Sequence, residues 1–398
     1  MVTCGYVMQV SSLRFLRSTL PLLLVLAAAA VLLAQALHQP VFSYDEGFTV
    51  YQAATLLEGD VPYRDFWTHY APGGFYALAA AFRVFGTSLF VERAYDTAFR
   101  VVIAVALSLL ARRLVPPGLA AAVGGLFVVL AGAVGFFAYA MFPAFACCLL
   151  AMLCTFRLFD SRRWRWLIGA GVAIGGATLF KHEMGFYGVV SVGGALATWK
   201  LSLPGTASLL WRGIGAARTL TVFSLVVGAT VAPVLIWLLT EVSAAELWAL
   251  LVVFPFTQLT ELHFISPPPL IPLPLGERAR NPQVYAALVL YEWPRFYAPL
   301  IIYGLAGLQQ VQWWRRGGAA AWLAAAGPHR LLLVLGGLVF FNHAYTRLDE
   351  IHTLPTTSLA MAVGVSGLPM FWGAIRARWA RGLAGIVLGV LVCDRLVV

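Results

Sequence analysis

In a chain of 398 residues that is 61% hydrophobic and only 11% charged, with a mean hydropathy of +0.84, apolar stretches recur at the length of a bilayer core. That composition excludes a soluble globular domain and leaves a polytopic, all-α membrane protein whose helices satisfy their own backbone groups. The net charge of +10 is no nucleic-acid signal here, because Lys and Arg gather on the cytoplasmic side of membrane proteins. Cys4, Cys147, Cys148, Cys154 and Cys393 are odd in number and form neither a disulfide framework nor a metal-ligand spacing.

Arg14 and Arg17 precede the apolar run Leu20–Leu37, which predicts a cytosolic N-terminus and a first helix that exits outward. Ala34-Gln35-Ala36 has the look of a signal-peptidase site, but the run is longer than a usual signal core, so the helix is read as retained. Residues 39–92 then interleave aromatics, Gly, Pro and acids, and predict a structured first outer loop. Within it Pro72–Gly86 is apolar but reaches only about 22 Å as a helix, with Arg83 interrupting; it predicts an interfacial helix with Phe75, Leu78, Phe82 and Phe85 toward lipid or neighbouring helices. Further spans are predicted near Tyr95–Leu110, Leu119–Phe136, Ala138–Phe156, Leu167–Phe180, Gly185–Trp199, Leu220–Leu239, Phe296–Trp313, Leu331–Ala344, Ser358–Trp372 and Leu383–Val397, about eleven in all, within a single domain over 1–398. A second long outer loop covers 241–295. Most of the 27 basic residues, among them Arg112, Arg113, Arg162, Arg163, Arg315 and Arg316, then fall in short loops on one side, which orients the chain N-in and C-out. Of the 17 acids only Asp160 falls on that side, so the chemistry belongs to the outer face. Gly171-x-x-x-Gly175 predicts a close helix–helix approach.

Four outer segments hold the unusual polar residues. They are Asp45-Glu46 followed by Tyr63–Gly74 with His69 and Tyr70; Lys181-His182-Glu183; the 241–295 loop with Glu261, His263, Glu277, Arg278 and Arg280; and Arg347-x-Asp349-Glu350-x-His352. Plain readings compete with chemical ones. Ser43-x-x-Glu46 is a capping box, Lys181-His182-Glu183 a wetted helix end, Arg347 with Asp349 a loop ion pair, and Pro267–Pro274 an extended polyproline cover.

A first loop opening on Tyr44-Asp45-Glu46-Gly47, a His69-Tyr-Ala-Pro-Gly-Gly turn into a short helix, then Phe85-Gly-Thr-Ser and Glu92-Arg93, resembles the GT-C membrane glycosyltransferases, and within them the bacterial relatives of protein O-mannosyltransferases and aminoarabinose transferases. Phe180-Lys181-His182-Glu183-x-Gly185 and Arg347-x-Asp349-x-x-His352 are similar to later turns of such proteins. This chain has Tyr-Ala-Pro where two prolines are usual. The resemblance, over roughly residues 18 to 360, implies a multi-pass protein of the bacterial inner membrane with a periplasmic site. Many relatives have further helices or an outer domain after the point that corresponds to Val398. The resemblance implies a sugar carried on a polyprenyl phosphate as donor and a hydroxyl of a glycan, lipid or protein as acceptor. Asp45 is then the base and Glu46 its catalytic neighbour. Lys181, Arg278, Arg280 and Arg347 compete for the donor phosphate, and His69, Tyr70, His182, Glu183, Asp349 and His352 line the substrate. Tyr44, Trp67 and Tyr187 offer further aromatic faces for a sugar. No cofactor and no metal are implied. The rival reading is a transporter or flippase of lipid-linked sugars; against it stands Arg100, the one ionisable residue placed well inside a predicted helix. A catalytically dead scaffold is the third.

Overall fold

A computed structural model describes residues 19–20, 22–31, 44–132, 134–135, 138–203, 208–258, 266–273, 276 and 280–374. The described chain is helical, with a lone bridge between Pro62 and Phe66 as its only extended pairing. The helices are α1 (Leu22–Val31), α2 (Tyr44–Thr55), α3 (Gly73–Phe85), α4 (Leu89–Ala111), α5 (Pro117–Gly132), α6 (Met141–Ser161), α7 (Trp164–Phe180), α8 (His182–Ser202) and α9 (Leu209–Glu241). Then come α10 (Ala244–Trp248), running through a π-turn into α11 (Phe254–Phe256), and α12 (Pro282–Ala287), α13 (Trp293–Ala324), α14 (Gly327–Thr346) and α15 (Glu350–Ala374). The span expected at Leu383–Val397, together with Ser43, Glu261, His263, Glu277 and Arg278, lies outside the described residues.

Local chemistry sets several boundaries. The Ser88 hydroxyl accepts from the Val91 amide and starts α4 at Leu89, one and a half turns before the expected Tyr95. Gly86, at φ 88°, stops α3, and Arg162, at φ 56°, stops α6. Inside α13 the backbone leaves the helix at Gly317 and Gly318, the latter at φ 62°, so the expected end at Trp313 anticipates a real break. The first loop is more helical than its composition suggests, since α2 occupies Tyr44–Thr55. Leu78 and Phe82 of α3 are buried among α2 and α4 and Phe75 is buried with its ring in edge contact with Phe66, whereas Phe85 is exposed.

Helices α4 to α8 share one core with α14 and α15, filled by Leu107, Phe127, Phe142, Phe145, Met152 and Phe340. Close approach rests on small residues, as expected in lipid, where apolar burial alone gives no preference for helix over lipid. A Cβ on Gly171 would lie 2.7 Å from Val226 Cγ1, and one on Gly175 would lie 2.5 Å from Thr230 Cβ, so the Gly-x-x-x-Gly stripe seats α7 on α9. At one end of the bundle Arg113 and His329 both reach Asp160, at 2.5 and 3.1 Å, which ties together the C-termini of α4 and α6 and the N-terminus of α14. Among the described residues α4, α6 and α9 are individually long and apolar enough to cross a membrane. Residues 282–324 and 327–346 pass the same test as a pair bent by 98°. Several other apolar helices, α5 and α7 among them, are shorter, so the count of eleven rests on the apolar runs of the sequence alone.

Candidate active site

At the end of the bundle opposite Asp160, three of the four polar segments meet. Asp45 stands in the first turn of α2 with its side chain exposed, while Glu46 beside it is fully buried and accepts a hydrogen bond from Arg93 Nε at 2.7 Å. This ion pair bolts the start of α2 to α4. Glu46 is therefore turned away from any substrate in this state, and its expected part in catalysis shrinks to fixing the residue before it. The Gln52 amide donates to the Trp67 carbonyl at 3.2 Å and fastens the other end of α2 to the loop ahead of α3.

That loop is built around Tyr63. Its backbone, at φ 72°, lets its N–H reach the Phe66 carbonyl at 3.0 Å, and its buried hydroxyl donates to the Tyr70 carbonyl at 2.7 Å. Burial raises the Tyr63 pKa, which keeps this donor protonated. The rings of Trp67, His69 and Phe254 pack together at 5.1–5.4 Å, with Tyr70 against His69 at 4.2 Å. Gly73 follows because nothing larger fits: a Cβ there would lie 2.6 Å from the Leu179 carbonyl at the end of α7. The motif His69–Gly74 is thus a joint that presses the loop onto the α7–α8 junction.

Lys181 is that junction. Its side chain is buried, with Nζ 2.9 Å from Glu183 and 3.2 Å from the Tyr139 hydroxyl, over the rings of Tyr139 and Tyr70 at 5.1 and 5.6 Å. Burial alone would lower the Lys181 pKa, but Glu183, Tyr139 and Tyr70 more than offset it and hold the ammonium charged. Burial raises the Tyr70 pKa, Tyr139, Asp45 and Glu183 add to the rise, and Lys181 opposes it. Asp45 and Lys181 therefore both act on Tyr70, one carboxylate and one ammonium on the same phenol. His182 is less exposed than a wetted helix end would be, with both ring nitrogens buried and without a hydrogen-bond partner.

Opposite Lys181 stands the loop between α14 and α15. Asp349 accepts from Arg347 Nε at 2.6 Å with one oxygen, while the other accepts the His352 backbone N–H at 2.9 Å and meets His352 Nδ1 at 2.6 Å. Burial pushes the Asp349 pKa up, but His352 and then Arg347 more than offset that and hold it below its ordinary value. The His352 ring lies 4.4 Å from that of His343 and 6.3 Å from that of Tyr139. Next to it Glu350 is bound by Arg295 at 2.9 Å and by the Tyr291 hydroxyl.

The third segment is placed differently. Arg280 is exposed, and Arg278 lies outside the described residues. The described part of the proline-rich stretch packs against residues of α12 and α13. Its Pro268, Leu270 and Pro272 carbonyls accept from Tyr297, Trp293 and Tyr285 at 2.8, 3.0 and 3.1 Å. Tyr187 offers no sugar face, being buried against Phe340 with its hydroxyl accepting from Asn342 at 2.9 Å. Arg100 is not alone within its helix: Glu92, Arg93 and Asp96 are also buried in α4. Arg100 pairs with Asp96 at 2.7 Å and donates to the Ala131, Val134 and Gly135 carbonyls, and Glu92 accepts from the Ala138 amide. These charges hold the α5–α6 connection that carries Tyr139, which is a structural task. Tyr139 and His343 have no counterpart among the residues singled out from the sequence.

The dolichyl-phosphate-mannose-protein mannosyltransferase family matches residues 69–237, the stretch from the His69 turn through α9. ArnT from Cupriavidus metallidurans bound to undecaprenyl phosphate superposes with a TM-score of 0.55 at 17% identity, covering 93% of this chain and 63% of that one. The Archaeoglobus fulgidus oligosaccharyltransferase in complex with Zn and sulfate superposes with a TM-score of 0.54 at 12% identity, over 94% of this chain and 52% of that one. The fold is that of the GT-C membrane glycosyltransferases. AglB from Archaeoglobus fulgidus, in complex with an inhibitory peptide and a dolichol-phosphate, shares this GT-C fold at a TM-score of 0.52 and 13% identity, over 96% of this chain and 55% of that one. No curated protein sequence matches the chain. Because the chain spans less than two thirds of these GT-C structures, it corresponds to part of their length. Among the described residues no three His, Cys, Asp or Glu side chains gather as metal ligands.

Proposed function

We propose that this chain is a glycosyltransferase that moves a sugar from a polyprenyl phosphate to a hydroxyl acceptor at the outer face of the bacterial inner membrane, with inversion. The observation that carries the proposal is the meeting of Lys181 and the Arg347–His352 loop around Tyr70 and Tyr139 at one end of a GT-C fold, with Asp45 exposed at the head of α2 and its charge felt at Tyr70.

Asp45, exposed at the head of α2, takes the proton of the acceptor hydroxyl as that oxygen bonds to the anomeric carbon. The bond from that carbon to the phosphate oxygen breaks, and the polyprenyl phosphate leaves with the electron pair. A phosphate leaving group needs no general acid, unlike the alcohol released in glycoside hydrolysis. Lys181 and Arg347 stand where positive charge would meet it. The proposed step uses these groups alone, without a cofactor. His69 and Tyr70 flank the acceptor side, and Trp67 and Tyr44, both exposed, offer faces for sugar rings.

Purified protein reconstituted with polyprenyl-phosphate sugars tests the reading. Wild type transfers sugar, and Asp45→Asn lowers kcat by about 10²–10⁴-fold without altering thermal unfolding. Full transfer by Asp45→Asn would remove the proposed base.

A further inference from the structure

The cations of the cluster arrive already neutralised. Lys181 has Glu183, Arg347 has Asp349, and Arg295 beside them has Glu350. A phosphate dianion entering this site meets ion pairs rather than spare positive charge, and taking a charge out of water without compensation is costly. The remaining groups that can become positive are imidazoles: His69 and His182, and His352 and His343, whose rings lie 4.4 Å apart.

His352 is the one prepared for it. Asp349 caps the first turn of α15 through the His352 amide, and the same oxygen meets Nδ1 at 2.6 Å. That bond sets the ring's tilt and leaves Nε2 without a partner among the described residues, on a ring packed between His343 and Tyr139. His343 is the more deeply buried, and its own Nε2 has no partner. The groups facing His352 are Asp349 and Arg347 from its own loop, His343 from α14, Tyr139 from the α5–α6 connection and Lys181 from the α7–α8 junction. Of the charges on other helices against α15, Arg295 turns to Glu350, while Arg93 and Arg100 turn to Glu46 and Asp96.

We propose that the lipid phosphate and one proton bind this site together, the proton going to His352 so that an Asp349-oriented imidazolium completes the phosphate pocket. The inference rests on the reading that a polyprenyl phosphate is released here. An imidazole changes charge near neutral pH, and a charge-assisted bond from imidazolium to phosphate favours uptake of the proton in the complex. On release of the lipid the proton returns to water, and the resting site is neutral again.

Calorimetric titration of the intact protein with undecaprenyl phosphate, in two buffers of different ionisation enthalpy at pH 7.5, counts the protons exchanged. The lipid's own second ionisation, near pH ~6, is almost complete there. Wild type takes up about one proton per lipid bound, and between pH 7 and 8.5 its Kd weakens about tenfold per pH unit. His352→Gln binds with no uptake and a flat profile, whereas His343→Gln keeps the uptake. Binding by wild type without proton exchange overturns the inference and leaves the glycosyltransferase reading standing. Uptake that survives in His352→Gln, or vanishes only in His343→Gln, overturns it as well. No binding at all by wild type removes the lipid-phosphate reading and this inference with it.

Discussion

At the scale of single residues, the site combines local ion pairs, Lys181 with Glu183 and Arg347 with Asp349, with pairs that join distant parts of the chain, Glu46 with Arg93 and Glu350 with Arg295. Lys181 and Glu183 are the pair whose separation is most informative. Lys181→Met strands the half-buried Glu183 and is expected to cost about 1–3 kcal/mol, read as a lowered unfolding temperature in detergent. Lys181→Met combined with Glu183→Gln recovers most of that stability but none of the transfer, which separates the structural from the chemical role of the lysine. Asp349 gives a pH signature. Its pKa is lower in the folded protein than the ordinary 3.8, so its contribution is fully present above that value and is lost as the pH falls below it. Unfolding followed downward from about pH 4 shows this loss in wild type, and Asp349→Ala removes that part of the slope. Asp45, Lys181 and the Arg347–His352 loop stood out in the sequence because ionisable side chains at the ends of apolar runs are conspicuous. Glu46 could not be judged that way, since its partner Arg93 lies 47 positions on. Tyr139 and His343 were hidden for another reason, as single polar side chains inside otherwise apolar stretches.

At the scale of elements, the apolar runs announce α5 to α8 and α14 to within five residues, because a helix in lipid needs only length and hydrophobicity, whereas α9 and α15 begin well before the expected Leu220 and Ser358 and α13 runs well past Trp313. Where function enters, the pattern blurs. The first turns of α4 carry Glu92, Arg93 and Asp96, which read as loop, yet their charges are satisfied by Glu46, the Ala138 amide and Arg100. Arg100→Met leaves Asp96 unpaired and frees the carbonyls at the end of α5. It is expected to destabilise by about 3–5 kcal/mol and to lower transfer as well, since Tyr139 rides on that connection. Gly73→Ala tests the other joint. Its Cβ would displace α3 from the Leu179 carbonyl, so the loop carrying His69 and Tyr70 lifts from Lys181. Transfer falls at least tenfold while circular dichroism still reports the wild-type helix content.

At the scale of the whole molecule, the two ends of the bundle are chemically unlike. One is closed by Arg113, Asp160 and His329, and the other carries the site. In cysteine-free protein, single cysteines at 45 and 350 are expected to react with an impermeant maleimide added outside intact cells, and one at 160 only after permeabilisation. Labelling of 45 or 350 from the cytosolic side would break the proposed geometry. The ion pairs at the site have a further effect on what the protein ignores. A pocket with unpaired lysines and arginines would attract soluble anions across several ångströms of water and fill with nucleotides or free phosphate. Here Glu183, Asp349 and Glu350 cancel that long-range pull, so in the proposed reaction a phosphate reaches the site by virtue of its tail partitioning into the bilayer beside it. Discrimination between a lipid-borne phosphate and a dissolved one is thereby left to local concentration rather than to affinity, and millimolar inorganic phosphate leaves the rate of transfer unchanged.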